Sequence, residues 1–308
     1  MQVETTRLTR IRGLEITPER FRRLALAELL GLFVIVATGA IVRLTASGLG
    51  CDNWPRCGDT PFPEKSGHAV IEFSNRVVAL VTIGLTLLGW LAARRVAGLP
   101  RWAATLALAV FLGTVAQIPL GGLTVIFELN PLLVMTHFLL ALAVLGGGTV
   151  LALEAWGGER GRSEPLVPVE LRRLALVFVA ATLALIVTGT FVTAAGPHSG
   201  GVDIRRLGTA SAAIWVHVRA TALFGLCFLF ILGYLAARRN RAPLLFRAAL
   251  ALLALVLVQI AVGETQYRTD LPWWLVLVHV SLAAAVWVGT VAFAAACWRP
   301  PLPLARAS

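Results

Sequence analysis

Eight stretches of this 308-residue chain are long and apolar enough to cross a lipid bilayer. A helical span needs roughly 20 apolar residues, and the stretches fall at about 24–46, 70–93, 103–123, 131–153, 173–195, 211–235, 245–265 and 272–297. Backbone polar groups find no water in hydrocarbon, so each stretch must satisfy them internally as an α-helix. Composition agrees: 58% of residues are hydrophobic and 14% charged, against roughly 45–50% and about 25% in soluble domains. A soluble globular domain, a disordered chain and a disulfide-rich secreted module are excluded. The expected fold class is all-α and integral to the membrane.

A net charge of +11, from 27 Lys and Arg against 16 Asp and Glu, would suggest a nucleic-acid partner in a soluble protein. Here 19 of the 27 cations fall on one side of the membrane. They precede span one (Arg7, Arg10, Arg12, Arg20, Arg22, Arg23), lie between spans two and three, four and five, and six and seven, or close the chain (Arg299, Arg306). The positive-inside rule then places both termini in the cytoplasm. Basicity sets topology, membrane lipid is the surrounding partner, and no nucleic-acid partner follows. The first 23 residues mix six Arg with Glu4, Glu15 and Glu19. The apolar segment after them is too long for a signal-peptide core and is read as an uncleaved span. Acids in that leader argue against a mitochondrial presequence and for a bacterial inner membrane.

The chain repeats itself. Gln117 and Gln259, Gly121 and Gly263, His137 and His279, and Asn75 and His217 are all 142 residues apart, and Thr38-Gly39 recurs as Thr188-Gly189. Two tandem four-span halves explain this. Each has an even number of crossings, so the halves face the same way as four-helix bundles related by a pseudo-two-fold axis along the membrane normal. The expected division is an N-terminal bundle over 24–153, a linker over 154–172 broken by Gly157, Gly158, Gly161, Pro165 and Pro168, and a C-terminal bundle over 173–297. The first outer loop is the longer of the repeat-related pair and holds Cys51 and Cys57.

Ionisable side chains inside spans are costly and mark functional candidates. His137, His217 and His279 each sit six or seven residues inside a span, roughly 9–11 Å below its outer end at 1.5 Å per residue. One half presents a His217/His279 pair and the other Asn75 with His137. Two imidazoles at one depth in a bundle suit axial ligation of a haem within apolar walls; a proton relay and a helix–helix hydrogen bond are the competing explanations. Zinc would need further ligands that this depth does not supply.

Glu72 lies one turn from Asn75 on the same face. It is a candidate catalytic carboxylate, or an interfacial Glu paired with Arg76 or Lys65. Arg43, Arg76 and Arg219, near outer span ends, suit carboxylates such as haem propionates; snorkelling is their alternative. Gln117 and Gln259 read first as interhelical hydrogen-bonding groups. For Cys51 and Cys57, on the oxidising side, a disulfide is the default and a redox-active thiol pair the alternative. Cys227 and Cys297 read as small apolar residues, and His68 and His198 as solvated loop side chains.

The runs Ala37-Thr38-Gly39, Val42 to Cys51 (VRLTASGLGC), Asp52-Asn53-Trp54-Pro55-Arg56-Cys57 and Ile71-Glu72-Phe73, followed by Arg76, resemble the signature of the haem A synthase family. The likeness continues through His137, His217 and His279. Members of that family oxidise the C8 methyl of haem O to a formyl group, making haem A for terminal oxidases. The resemblance implies a haem b cofactor held by His217 and His279 in the C-terminal half. It implies haem O as substrate and haem A as product in the N-terminal half, served by His137, with Glu72 essential and Cys51–Cys57 as the outer-loop pair. It also implies haem O synthase and an electron donor as partners, and a homo-oligomer is compatible with it. One departure matters: many members have His where this chain has Asn75, a poor iron ligand. Either His137 holds the N-terminal haem alone, leaving the sixth position open, or Asn75 contacts that haem indirectly. The rival functions are a non-catalytic b-type electron carrier and, less well supported by the unbroken spans, a transporter.

Overall fold

A computed structural model describes residues 15–51, 54, 56–57, 62–63, 66–198, 200 and 204–305. Glu4, Arg7, Arg10, Arg12, Asp52, Asn53, Pro55, Lys65 and Arg306, used above, lie outside the described residues. The helices are α1 (Pro18–Leu44), α2 (Gly67–Ala93), α3 (Arg101–Ile126), α4 (Pro131–Arg160), α5 (Val169–Ala195), α6 (Ala210–Ala237), α7 (Pro243–Arg268), α8 (Trp273–Trp298) and the short α9 (Leu302–Ala305). The first eight are long and apolar enough to span a membrane. No strand occurs among the described residues.

Local chemistry sets the starts. The Thr17 hydroxyl accepts the Arg20 N–H at 3.3 Å with Pro18 in the first turn, and Ser66 and Asn130 cap α2 and α4 in the same way. Proline precedes α3, α5 and α8, where its missing N–H costs nothing. Helix α4 runs straight through Gly157 and Gly158 and stops at Gly161, which has φ +85°. Its last two turns therefore occupy what reads as linker in the sequence. The Arg162 guanidinium lies against Gly157 and pairs with Glu154 at 2.6 Å, while Arg299 reaches the same carboxylate at 2.9 Å. With Glu154 3% exposed, this triad ties the end of α4 to the end of α8.

Each half closes as a ring. Helix α1 packs on α2 and α4, and α3 bridges α2 and α4; α5, α6, α7 and α8 repeat the pattern. The halves meet where α8 packs on α4 and α1, and α4 on α5. The Trp287 indole N–H donates to the Leu142 carbonyl at 2.7 Å across that seam. This arrangement is consistent with a pseudo-two-fold axis, and burial repeats with it. Phe21, Ala25, Leu32 and Val36 of α1 match Leu171, Ala175, Thr182 and Ile186 of α5 at an offset of 150, all buried. Ala107, Val110, Leu142 and Val144 match Ala249, Leu252, Ala284 and Val286 at 142. Even the turns agree: Glu128-Leu129 and Asp270-Leu271 all take positive φ before α4 and α8.

Candidate functional site

The three intramembrane histidines lie on the stripes that face their own bundles. On α6, Phe224, Phe228, Ile231 and Leu235 are the buried stripe, and His217 falls seven residues before Phe224. On α8, His279 precedes Val286 and Phe293 by one and two heptads, and both belong to the C-terminal core. His137 stands in the same register to Val144 and Leu151 on α4, as does Asn75 to Thr82 and Gly89 on α2.

Each imidazole rests on a glycine of a neighbouring helix. A Cβ on Gly121 would come 3.4 Å from the His137 ring, one on Gly189 3.2 Å from His217, and one on Gly263 2.9 Å from His279. The fourth member of the set, Gly39, has open space instead, because its partner Asn75 is shorter than a histidine. These glycines recur in the sequence as repeat matches; what they do is visible only once the helices are packed.

Hydrogen bonds decide which ring nitrogens keep a free lone pair. Thr188 Oγ1 donates to the Leu185 carbonyl at 2.7 Å, so its lone pair accepts the Nδ1–H of His217 at 3.0 Å. That tautomer leaves the His217 Nε2 lone pair free. His279 Nε2 accepts from the Gln259 amide at 3.3 Å, and its Nδ1 is buried without a partner. His137 Nδ1 is likewise buried and unpartnered, while the Gln117 amide donates to the His137 carbonyl at 3.3 Å. In the N-terminal half Thr38 Oγ1 donates to Asn75 Oδ1 at 2.7 Å, the counterpart of Thr188 on His217. Among the described residues no group of three or more His, Cys, Asp or Glu is placed to hold a metal ion by itself. His217 thus presents a free Nε2 lone pair, and His279 would present its own on exchanging the Gln259 amide for a metal; imidazoles over small residues and among apolar walls are a donor set that fits a planar metal macrocycle.

Above Asn75, described residues of the first outer loop pack against α2 and α3. Cys51 and Cys57 are joined by a disulfide, 4.6 Å between Cα atoms, and both are buried. The Trp54 ring lies against Gly122 of α3, and Gly50 passes close to the backbone of His68 and Ala69 at the start of α2, where a side chain would not fit. Glu72 is 5% exposed. One of its oxygens accepts the Cys51 N–H at 2.8 Å and the other pairs with Arg76 at 2.5 Å, while Arg76 also donates to the Arg56 carbonyl at 2.9 Å. The pairing with Arg76 offered by the sequence is thus present, and it anchors the disulfide loop.

The remaining cations separate. Arg43 Nε donates to the His198 carbonyl at 2.8 Å, and its Nη2 is buried without a hydrogen-bond partner, a free donor beside the loops of both halves. His198 is not simply solvated: its Nε2 meets the Leu271 carbonyl at 2.7 Å, joining the loops before α6 and α8. His68 is exposed and bonds the Ser47 hydroxyl at 2.9 Å. Arg219 is exposed and lies over the Trp215 ring, 3.1 Å from its centroid. Two residues apart on a helix is about 200° of rotation, so Arg219 points away from the face that carries His217. Position in the sequence gives its depth but not that rotation.

Fold and site together define a polytopic helical-bundle membrane protein with intramembrane imidazoles arranged in repeat. A family model described as cytochrome oxidase assembly protein matches residues 22–198, so this chain belongs to the cytochrome oxidase assembly protein family. Among its relatives is a heme A synthase of Bacillus pumilus, 28% identical over 145 residues, 46% of each chain. A heme A synthase of Bacillus licheniformis is 24% identical over 265 residues, 80% of this chain and 86% of that one. A protoheme IX farnesyltransferase of Thermus thermophilus is 30% identical over 287 residues, 83% of this chain. The match spans about half the length of the first and third of these relatives, 46% and 45% respectively.

Proposed function

We propose that this protein is a haem A synthase, an oxidoreductase that converts the C8 methyl of haem O to a formyl group. The observation that carries the reading is the repeated imidazole-on-glycine arrangement, with His217 held by Thr188 in the tautomer that exposes Nε2. Family membership supports the same reading, as do the relatives named heme A synthase, and the farnesyltransferase-named relative supports a farnesylated haem as substrate.

In this reading His217 and His279 hold a haem b in the C-terminal half, and His137 holds haem O in the N-terminal half. Bound there, haem supplies one-electron and oxygen chemistry. The protein's own residues bind, orient and shield. Gly121, Gly189 and Gly263 give the imidazoles room, and Thr188 and Gln259 orient the C-terminal pair. Arg43 offers a buried donor for a propionate. Asn75, engaged with Thr38, would leave His137 as the residue that holds the substrate in this half. Glu72, with both oxygens occupied, acts as a positioning residue that holds Arg76 and the Cys51–Cys57 loop over the substrate. The Arg-rich ends lie in the cytoplasm, the membrane is a bacterial inner membrane, and a haem O synthase and an electron donor are the partners.

Co-expression with a haem O-producing strain tests this. Haem A or its hydroxymethyl precursor is the expected pigment. Haem b-loaded protein with neither pigment would instead identify a b-type electron carrier.

A further inference from the structure

The α1/α2 seam carries a group that haem binding does not use. Glu28 is 1% exposed, and neither of its carboxyl oxygens has a hydrogen-bond partner. The side chain points at Gly89, where Oε2 fills the space a Cβ would take. Thr86 and Thr82 follow along α2 toward Asn75, 0% and 1% exposed, and Thr82 lies against Gly31 of α1. At the far end Thr38 meets Asn75. From Glu28 to Thr38 the seam climbs about 15 Å at 1.5 Å per residue.

The repeat supplies the comparison. At the same offsets the C-terminal half has Phe178 for Glu28, Phe224 for Thr82, Phe228 for Thr86 and Ile231 for Gly89, all buried. Phe178 stacks on Phe224 and Phe228 with centroids 5.1 and 5.0 Å apart. One architecture is therefore sealed by three aromatic rings in one half and lined by a carboxyl and two hydroxyls in the other.

Burying an unpaired carboxylate costs several kcal/mol, a cost that a neutral acid avoids. Near this end Arg22 pairs with Glu159, and Glu154 with Arg162 and Arg299, and Glu28 has a share in none of these pairs. A helix–helix hydrogen bond would explain a buried acid, but Glu28 makes none. An apolar residue would pack better here, as it does in the repeat. What a neutral buried acid retains is an exchangeable proton.

We infer that Glu28 is a proton-holding site that feeds the N-terminal half along the α1/α2 seam. The inference rests on the haem A synthase reading for the consumer of the proton. Hydroxylating a methyl group with molecular oxygen takes two electrons from a donor and two protons, and releases one water. The O–H bond of Glu28 breaks as its proton moves toward Asn75 past Thr86 and Thr82, and the carboxylate is reprotonated from the Arg-rich face. No electron passes through Glu28.

Infrared spectroscopy of the full-length protein in lipid nanodiscs tests the site without any assay of turnover. The expected result is the carbonyl band of a neutral carboxylic acid that shifts on transfer to deuterium oxide and is lost in Glu28→Gln. Thr82→Val with Thr86→Val should leave that band in place and slow its shift. Absence of a Glu28-dependent band, or a band that does not shift, overturns the proposal. Supply is tested by haem A formation: Glu28→Gln should lower it on the order of a hundredfold with haem content unchanged, and Glu28→Asp should restore part of it. Wild-type rates in Glu28→Gln overturn the proposal. If the wild-type protein forms no haem A, the synthase reading fails and the infrared result alone decides whether Glu28 holds a proton.

Discussion

Thr188 accepts the Nδ1–H of His217 at 3.0 Å, its own hydroxyl proton being committed to the Leu185 carbonyl. A hydroxyl on α5 thereby sets the tautomer and the ring orientation of a candidate ligand on α6. Outer-shell partners of this kind are worth about 10- to 100-fold in metal affinity. Thr188→Val should lower haem b retention within that range on purification, and Thr188→Ser should restore it. Equal retention in both variants would remove Thr188 from the site.

The glycines offer an internal control. Gly263→Ala places a methyl 2.9 Å from the His279 ring, while Gly39→Ala meets nothing within 4 Å. The first substitution should displace the imidazole and reduce haem b content, whereas the second should leave the haem spectrum unchanged. The absorption spectra of the two purified variants, side by side, check this.

Asn75 and His217 occupy equivalent positions, each bonded to the threonine of a Thr-Gly pair. Gly39 leaves room for a larger side chain. Asn75→His should therefore supply a second ligand in the N-terminal half and convert haem bound there to a six-coordinate low-spin form. Electron paramagnetic resonance would show a second low-spin signal, with haem A formation falling as the open face closes. An unchanged spectrum would place Asn75 away from the haem.

Glu72 ties Arg76 to the backbone of Cys51. Neutralising the carboxylate replaces a charge-assisted hydrogen bond with a neutral one of roughly half the strength. Glu72→Gln keeps the shape and one acceptor, so the loop should loosen while the bundle persists. Faster reduction of Cys51–Cys57 by an external thiol, with helical content unchanged by circular dichroism, is the expected outcome.

Much of this molecule can be read from its residues. Spans of apolar sequence and matches at a fixed offset need no tertiary contact, so the eight helices and the depths of His137, His217 and His279 follow from counting. Helix rotation and pairing do not. Arg219 and His217 share a depth but not a face, and His198 finds the Leu271 carbonyl 73 residues away. Helix α4 continues through Gly157 and Gly158 because Glu154 is gripped by Arg162 and Arg299, a contact invisible to a local count of helix breakers. Glu28 is a single acid in an apolar run; its significance comes from the missing partner and from the phenylalanine that replaces it in the repeat.

The pairing of His217 with His279 is the center of the functional reading, and the absorption spectrum of the purified protein tests it most directly. Low-spin haem b should be present in the wild-type protein and absent from both His217→Ala and His279→Ala. Retention of that signal in either variant would contradict a haem held between these two imidazoles.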